Sequence, residues 1–287
     1  MVRLFPLIFV FLWSSAFISS KIIVDDASPF ASLGFRFAIV ALGFYLFSII
    51  RRERFSGTRA DILSACATGV LFHGLYLGGV FFAISKGLPA GIAALIVSLQ
   101  PVLTGALAGP ILNEVVTWRQ WAGICLGFAG AALVLGFDIG GSLPVIGVVA
   151  SIIALAAVTI GTLWQKKVSG KLPLSVSNCY QAVGAAVFHC VVMLLLEEPF
   201  INFTASFILS MGWQIVMVSF GAFTILMYLI SVGSVSRTAT LFFLVPPVSA
   251  VMAWLVVDEA LTMMDIAGLG IATIGVYVAT RVAAKPE

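Results

Sequence analysis

The stretch Ile84-Ser85-Lys86-Gly87, followed fourteen residues after its glycine by Pro101, recurs as Ile230-Ser231-Val232-Gly233, followed fourteen residues after its glycine by Pro247. The offset between the two copies is 146 residues. With one residue less, an offset of 145, other matches follow: Lys21 with Lys166, Arg36 with Gln181, Asn113-Glu114 with Asp258-Glu259, Gly123 with Gly268 and Gly130 with Gly275. A nearly constant offset over most of a chain indicates an internal repeat. We therefore expect one unit written twice, as residues 1–138 and 139–287.

The composition places this repeat in a membrane. Hydrophobic residues make up 61% of the 287 residues and charged residues 9%, against about 25% charged in an ordinary soluble domain. Division by ten gives about 29 residues per segment, which fits one membrane-spanning helix of ~20 residues and a turn. The chain lacks the large basic block of a nucleic-acid binder and the polar tracts of a disordered tail.

The uncharged runs between the charges are the candidate helices of an all-α membrane protein, one integrated transmembrane domain. Ten such runs are present: 4–20, 27–50, 62–85, 87–113, 120–137, 139–165, 172–196, 199–236, 238–257 and 266–280. The run 199–236 is too short for two spans with a turn, so we expect a single helix there. Run 4–20 resembles a secretory signal, but the repeat needs it as a permanent helix.

The charges also predict the orientation. If the N-terminus is cytoplasmic, the inner loops receive twelve cations and four anions, and the outer loops two cations and eight anions. Basic residues prefer loops that are not translocated. We therefore expect both termini in the cytoplasm of a bacterial cell, with the chain in the inner membrane.

The odd number of helices in each copy predicts that the two copies have opposite orientations. Five helices return the chain to the other face, so the second copy enters the membrane inverted. Two inverted five-helix repeats form the architecture of alternating-access transporters, with the binding site near the midplane. A duplication without a mechanistic role is the alternative.

The sequence resembles the ten-helix EamA-type branch of the drug/metabolite transporter superfamily. The resemblance rests on residues 12–17 with Lys21, on Pro29 through Arg36, on Gln100-Pro101 and Pro246-Pro247, and on the two acidic pairs before the fifth and tenth helices. Within this superfamily the sequence looks most like the bacterial aromatic amino-acid exporters. The resemblance implies a central cavity lined mainly by the first, third, fourth, sixth, eighth and ninth helices, and peripheral fifth and tenth helices, where Gly123 and Gly127 could pair protomers.

Arg36 is the sharpest candidate for substrate binding. It lies about nine residues from the outer end of its run, roughly 14 Å deep at 1.5 Å per residue. A guanidinium at that depth either attracts a substrate carboxylate or holds helices together. Both interpretations stay open.

Polar and aromatic residues at bilayer depth form the remaining candidate substrate-binding set. They are Trp13, Phe17, His73, Tyr76, Phe82, Ser98, Gln100, Trp164, Asn178, Gln181 and Tyr228. Helical spacing puts Asn178, Gln181 and His189 on one polar stripe, although such side chains also join helices. The aromatic residues of this set could equally face lipid or pack against other helices.

Prolines in matching helices are the candidate hinges. Pro101 and the pair Pro246-Pro247 each remove backbone hydrogen bonds about midway through a span. Broken helices at corresponding positions of two repeats point to a midplane site.

Several functional classes lack support in the sequence. There is no GxxxxGK[ST], HExxH or GxSxG pattern, so we expect no enzyme, cofactor or metal. The four cysteines lie in apolar runs without CxxC spacing, and we expect them to be small buried side chains. All acidic residues lie in loops or at helix ends, so proton coupling would fall to His73 or His189.

These features predict an inner-membrane exporter of aromatic and other apolar amino acids or related metabolites. Its partners would be a small-molecule substrate and the lipid bilayer, with no nucleic acid, in a monomer or weak homodimer. An exporter of another solute, such as a drug-like cation or a nucleobase, is the alternative, and a non-transporting membrane scaffold is a third.

Overall fold

The computed structural model describes residues 4–88, 93, 96–135, 143–257 and 262–280. Within these ranges the chain is helical nearly throughout, apart from an isolated antiparallel bridge between Ala27 and Ile201. The helices are α1 (Phe5–Asp26), α2 (Pro29–Ile50), α3 (Arg59–Ser85), α4 (Gln100–Leu112), α5 (Trp118–Leu135), α6 (Val145–Val168), α7 (Leu174–Leu196), α8 (Ala205–Val232), α9 (Val235–Thr240 and Val245–Val257, joined by the 3₁₀ turn Leu241–Leu244) and α10 (Met263–Thr280).

The predicted all-helical membrane architecture is confirmed for the described ranges. Seven helices there are long and apolar enough to cross a membrane, namely α1, α2, α3, α6, α7, α8 and the segment Val235–Met252 of α9. The run 199–236 contains the single helix α8, as its length predicts. The count of ten spans stays a prediction, and the repeat boundary at 138/139 lies outside the described residues.

Local sequence sets several helix ends. Thr58 and Asp61 form a capping box at the start of α3, where the Asp61 backbone N–H donates to Thr58 Oγ1 and the Thr58 N–H donates to Asp61 Oδ2. Such a box satisfies two backbone donors that the first turn leaves free. Pro29 occupies the first turn of α2, where the missing N–H costs no helical hydrogen bond.

Two loop carboxylates fix the relative direction of α2 and α7. Glu53, just after α2, accepts a hydrogen bond from Ser175 Oγ at the start of α7. Glu197, just after α7, accepts from the Phe30 backbone N–H at the start of α2, with a distance of 3.0 Å to Oε2. The two helices therefore pack antiparallel. We call the end of the bundle that carries the α1–α2 turn the first end, and the end that carries the α6–α7 turn the second end.

The helix contacts are reciprocal between the two halves. Helix α1 packs on α8 and α9, and its counterpart α6 packs on α3 and α4. The remaining counterparts meet each other, since α2 packs on α7 and α5 on α10. The largest apolar core lies between α1, α3, α8 and α9 and contains Trp13, Phe72 and Phe223.

Glycines bring α5 and α10 into backbone contact. A Cβ on Gly123 would overlap the carbonyl oxygen of Gly275, and a Cβ on Gly130 would overlap the carbonyl oxygen of Gly268. The offset of 145 aligns Gly123 with Gly268 and Gly130 with Gly275. In the structure each glycine of α5 contacts the α10 glycine that is aligned with the other one. A Cβ on Gly127 would strike the ring of Phe243. Gly123 and Gly127 thus make contacts within the chain, at the position where the resemblance would let them pair protomers.

The expectation of four buried cysteines is wrong for two of them. Cys179 is buried and Cys66 partly buried, whereas Cys125 and Cys190 are exposed on the outside of the bundle. A small apolar side chain suits a lipid-facing position as well as a core, so the apolar runs alone do not distinguish the two.

Candidate functional site

A buried cationic and aromatic cluster lies where α2, α3, α7 and α8 meet. Arg36 is 5% exposed, and its Nε donates a hydrogen bond to Ser219 Oγ at 2.9 Å. The guanidinium carbon lies 5.3 Å from the ring centroid of the neighbouring Phe37. Among the described residues, no acidic side chain is hydrogen-bonded to Arg36. A guanidinium in this environment has donors available for an anionic group of a solute.

Two histidines extend this cluster. His189 Nε2 lies 3.1 Å from the backbone carbonyl oxygen of His73. Because a carbonyl oxygen only accepts hydrogen bonds, His189 Nε2 carries the proton in this contact. The ring of Phe37 lies 4.6 Å from the His73 ring and 5.8 Å from the His189 ring, and Phe223 lies 4.1 Å from His73. The Nδ1 atoms of both histidines have no hydrogen-bond partner in the described part of the chain.

The aromatic side continues towards α1. Phe72 lies 6.3 Å from Trp13 and 5.9 Å from Tyr76, edge to face in both cases. Trp13 and Tyr76 are buried. Trp13, His73, Tyr76 and Arg36, four of the residues that the sequence nominates, therefore belong to one contiguous cluster.

Two π-helical segments carry part of this cluster. Val70–Leu77 in α3 contains His73 and Tyr76, and Gln214–Ala222 in α8 contains Ser219. His73 and Ser219 are 146 residues apart, the offset of the repeat. A π-helical turn widens the helix locally and is frequent at functional sites.

Buried amides form a second polar group, between α6, α7 and α8. Gln181 Nε2 donates to Gln165 Oε1 at 3.1 Å and to Ser177 Oγ at 3.2 Å. One turn earlier, Asn178 Nδ2 lies 3.4 Å from Thr224 Oγ1. The side-chain oxygens of Gln181 and Asn178 are buried and have no partner among the described residues.

Two cavities open at opposite ends of the bundle. The α6/α8 cavity at the second end has a volume of about 350 Å³, and the α1/α3 cavity at the first end about 320 Å³. Their linings correspond through the repeat offsets: Val24 with Ser169, Pro29 with Leu174 and Ser85 with Ser231. Corresponding residues of the two halves thus line the two openings, and Phe200 of the second half also lines the α1/α3 cavity.

The prolines occupy equivalent positions beside helix irregularities. Pro101 lies in the first turn of α4, directly after a turn at Ser98 and Leu99. Pro246 and Pro247 lie at the start of Val245–Val257, directly after the 3₁₀ turn. Ser14 of α1 contacts this break, because its Oγ donates to the Val245 carbonyl oxygen at 3.3 Å.

The other nominated residues lie further from the cluster. Gln100 Nε2 lies 3.3 Å from both Thr104 Oγ1 and Thr162 Oγ1, and Ser98 is buried nearby on the chain. Three nominated aromatic residues lie elsewhere. The Phe82 ring lies 6.1 Å from the Phe30 ring, Tyr228 lines the α6/α8 cavity, and Trp164 is 41% exposed. Phe17 belongs to α1, but its side chain lies outside the described part.

Sequence reasoning did not nominate several polar partners. Gln165, Ser219 and Gln214 are all nearly fully buried. Gln214 Nε2 lies 2.9 Å from Ser19 Oγ and from the Ala16 carbonyl oxygen, which ties α8 to α1. A glutamine within a long apolar run is a readable signal of a buried polar contact, whereas Ser219 is too common a residue type to stand out.

Comparisons with known proteins agree with this architecture. A family model described as the EamA-like transporter family matches residues 2–136 and again residues 145–281. The uncharacterized transporter YvbV of Bacillus subtilis is 29% identical over 277 residues, which cover 91% of this chain and 85% of that protein. A probable amino-acid metabolite efflux pump of Salmonella typhimurium is 26% identical over 282 residues, 95% of this chain and 92% of that protein. A solved crystal structure superposes with a TM-score of 0.81 at 18% identity over 97% of each chain.

Proposed function

Because the chain belongs to the EamA-like transporter family, we propose that it exports aromatic and other apolar amino acids, or related small metabolites, by alternating access. The membrane is the bacterial inner membrane, with ten spans arranged as two inverted repeats and both termini in the cytoplasm. The relative named as an amino-acid metabolite efflux pump supports the class of cargo.

The pair of equivalent cavities is the observation that carries this proposal. Alternating access needs two openings that are used in turn, and corresponding residues of the two halves line the two cavities. Arg36, His73 and Trp13 are buried, and they lie along α2, α3 and α1 away from the helix ends that line the cavities. Antiparallel α2 and α7, together with the reciprocal glycines of α5 and α10, support the inversion.

The cluster suits an aromatic amino acid. Trp13, Phe72 and Tyr76 offer edges and faces to a planar side chain. Arg36 offers a guanidinium to the carboxylate, in the bidentate geometry that arginine favours. Pro101, Pro246 and Pro247 would then be the hinges beside this site.

Flux measurements test the cargo directly. The purified chain in proteoliposomes should take up labelled phenylalanine or tryptophan saturably, and excess unlabelled phenylalanine should compete. Protein-free liposomes are the control. Absence of saturable flux for every amino acid, with flux of a nucleobase or a quaternary ammonium dye instead, would replace this cargo with the alternative one.

Arg36 can be tested separately from the fold. Arg36→Gln should raise the KM for phenylalanine about tenfold, since a charged hydrogen-bonded contact is worth ~1.5–3 kcal/mol. Ser219→Ala, which removes the hydrogen-bond partner and keeps the charge, should leave KM within about twofold. A large drop in the thermal unfolding midpoint of Arg36→Gln with unchanged KM would assign the residue to helix packing.

Labelling tests the orientation. Single cysteines near each terminus of a cysteine-free variant should react with a membrane-impermeant maleimide only in inside-out vesicles. Termini on opposite sides would contradict the inverted arrangement.

A further inference from the structure

The α6/α8 cavity at the second end has a mixed lining that suits a small amphipathic solute. Its volume of about 350 Å³ lies within the range of small-molecule pockets. Gln165, Ser177 and Ser231 provide polar groups, and Leu174 with Tyr228 provides apolar surface. Tyr228 is held by an edge-to-face contact with Phe5, at 5.6 Å between ring centroids.

Two unsatisfied acceptors lie directly behind this wall. Gln181 is fully buried, and both of its amide hydrogens have acceptors on the wall residues Gln165 and Ser177. Its Oε1 has no partner in the described part of the chain, and neither does Oδ1 of Asn178, which is 1% exposed. A buried carbonyl oxygen without a hydrogen-bond donor is unfavourable, so this pair favours a ligand that brings donors.

Lys166, the residue that follows the wall residue Gln165, does not supply that donor. Lys166 Nζ lies 2.7 Å from the Gly233 carbonyl oxygen, 3.1 Å from that of Ile230 and 3.2 Å from that of Ser231. An ammonium has three hydrogens, and these contacts use all of them. Lys171 faces Asp61 at 3.6 Å, and Glu53 accepts from Ser175.

We propose that the α6/α8 cavity is an access site for solutes with a primary ammonium group. Gln181 Oε1 and Asn178 Oδ1 accept hydrogen bonds from this ammonium group after the Gln165 side chain turns aside. The inference rests on the proposed transport function and specifies the ammonium subsite. The exposed Lys167 and Lys171 adjoin the lining residues Val168, Ser169 and Gly170 in the sequence, so a carboxylate on the same solute would remain at a cationic rim. A zwitterion therefore fits this site better than a plain amine.

Three probes that differ by one charged group test the subsite. Binding of L-phenylalanine, phenethylamine (without the carboxylate) and 3-phenylpropionate (without the ammonium) is measured by calorimetry on the full chain in lipid nanodiscs. The wild-type protein should bind phenylalanine most tightly and phenethylamine next, with 3-phenylpropionate weaker than phenylalanine by about tenfold or more. Equal affinity for phenylalanine and 3-phenylpropionate would overturn the proposal.

Variants assign the effect to the two amides. Asn178→Leu and Gln181→Met should each weaken phenylalanine and phenethylamine about tenfold and leave 3-phenylpropionate unchanged. Gln181→Glu keeps the size and the acceptor and adds a charge, so it should bind phenethylamine more tightly than the wild type. Gln214→Met, which removes a buried amide that ties α8 to α1 far from this cavity, is the matched control and should not change the order of the probes. Unchanged phenylalanine affinity in all three α7 variants would overturn the subsite.

The subsite and the transport function can fail separately. Saturable phenylalanine flux with the same affinity in the wild type and in the Gln181 variants would reject the subsite and leave the exporter function standing. Ammonium-dependent binding that requires Gln181, without flux of any amino acid, would support the subsite and reject the proposed cargo.

Discussion

The ends of α3 and α8 carry the same sequence pattern and finish differently. At the end of α3, Gly87 has a φ of +86°, and the Gly87 and Leu88 backbone N–H groups donate to the carbonyl oxygens of Ile84 and Ala83. Within the described part of the chain, these backbone groups are donors at this helix end. At the end of α8, Gly233 has a φ of −107°, and its N–H donates to the Leu229 carbonyl oxygen. Lys166 Nζ of α6 donates in addition to the carbonyl oxygens of Ile230, Ser231 and Gly233.

A carboxylate binds the connection between α8 and α9, which we call the α8–α9 corner. Glu114, after α4, accepts hydrogen bonds from Ser234 Oγ at 2.8 Å and from the Val235 backbone N–H at 3.1 Å. A cation thus lies at the C-terminus of α8 and an anion at the N-terminus of α9, each opposite to the local helix dipole. The same sequence pattern thus ends on a left-handed glycine in one half and on an extended glycine in the other, where side chains join α4, α6, α8 and α9.

Among these variants, loss of the Lys166 ammonium group should lower the stability most. Lys166→Met leaves three terminal carbonyl oxygens of α8 without their charged donor, and we expect a loss of about 2–3 kcal/mol in stability. The free energy of unfolding in mixed micelles measures it. The exposed neighbour Lys167 is the control, since Lys167→Met should stay within about 0.5 kcal/mol of the wild type. Equal losses in both variants would show that α8 does not depend on this contact.

Removal of the negative charge at the start of α9 should have the next largest effect. Glu114→Gln keeps one acceptor oxygen but loses the favourable charge at the helix N-terminus, which should cost about 1–2 kcal/mol. Glu198→Gln changes an exposed carboxylate beyond the end of α7 and should have little effect. The same measurement applies, and a Glu114 variant as stable as the Glu198 variant would contradict the cap.

The internal ending of α3 can be tested through its glycine. Gly87→Ala introduces a side chain at a left-handed φ, and we expect a cost of about 1 kcal/mol. Gly87→Asn should cost less, because asparagine adopts this conformation more readily. No atom lies within 4 Å of a Cβ at this position, so the difference between the two variants isolates the backbone. Equal stability of Ala and Asn variants would argue against the left-handed turn.

The smallest loss of stability is expected on removal of the Ser234 hydroxyl at the α8–α9 corner. Ser234→Ala removes one hydrogen bond to Glu114, and Ser236 still donates to that carboxylate, so we expect a loss of about 0.5 kcal/mol. Ser85→Ala removes a hydroxyl whose hydrogen bond within the described part of the chain is to the Phe82 carbonyl oxygen of the same helix, and should change stability less. A double-mutant cycle with Glu114→Gln should show coupling for Ser234 and none for Ser85.

The sequence predicts the helices better than it predicts their faces. The apolar runs identify α8 as one helix, and the offset pairs Gly123 with Gly268 before any contact is known. It does not tell which of Trp13 and Trp164 is buried, because lipid and protein core are equally apolar surroundings. The first is 5% exposed and the second 41%.

The polar contacts were predictable only in part. Arg36 and the stripe on α7 stand out because charged and amide groups are rare at bilayer depth. Their partners Ser219 and Gln165 come from distant helices, and the π-helical turns that present His73 and Ser219 have no marker in the residue pattern. Such pairings depend on how the helices cross, which the linear spacing does not encode.

The backbone crossing of α5 and α10 has a consequence for motion. If the two halves exchange their shapes, as proposed above, the contact of Gly123 with Gly275 becomes the contact of Gly268 with Gly130, and this contact already exists. The crossing can therefore be kept through the exchange. We expect distance changes at pairs such as α1 with α8 and α6 with α3, and probes of motion belong there.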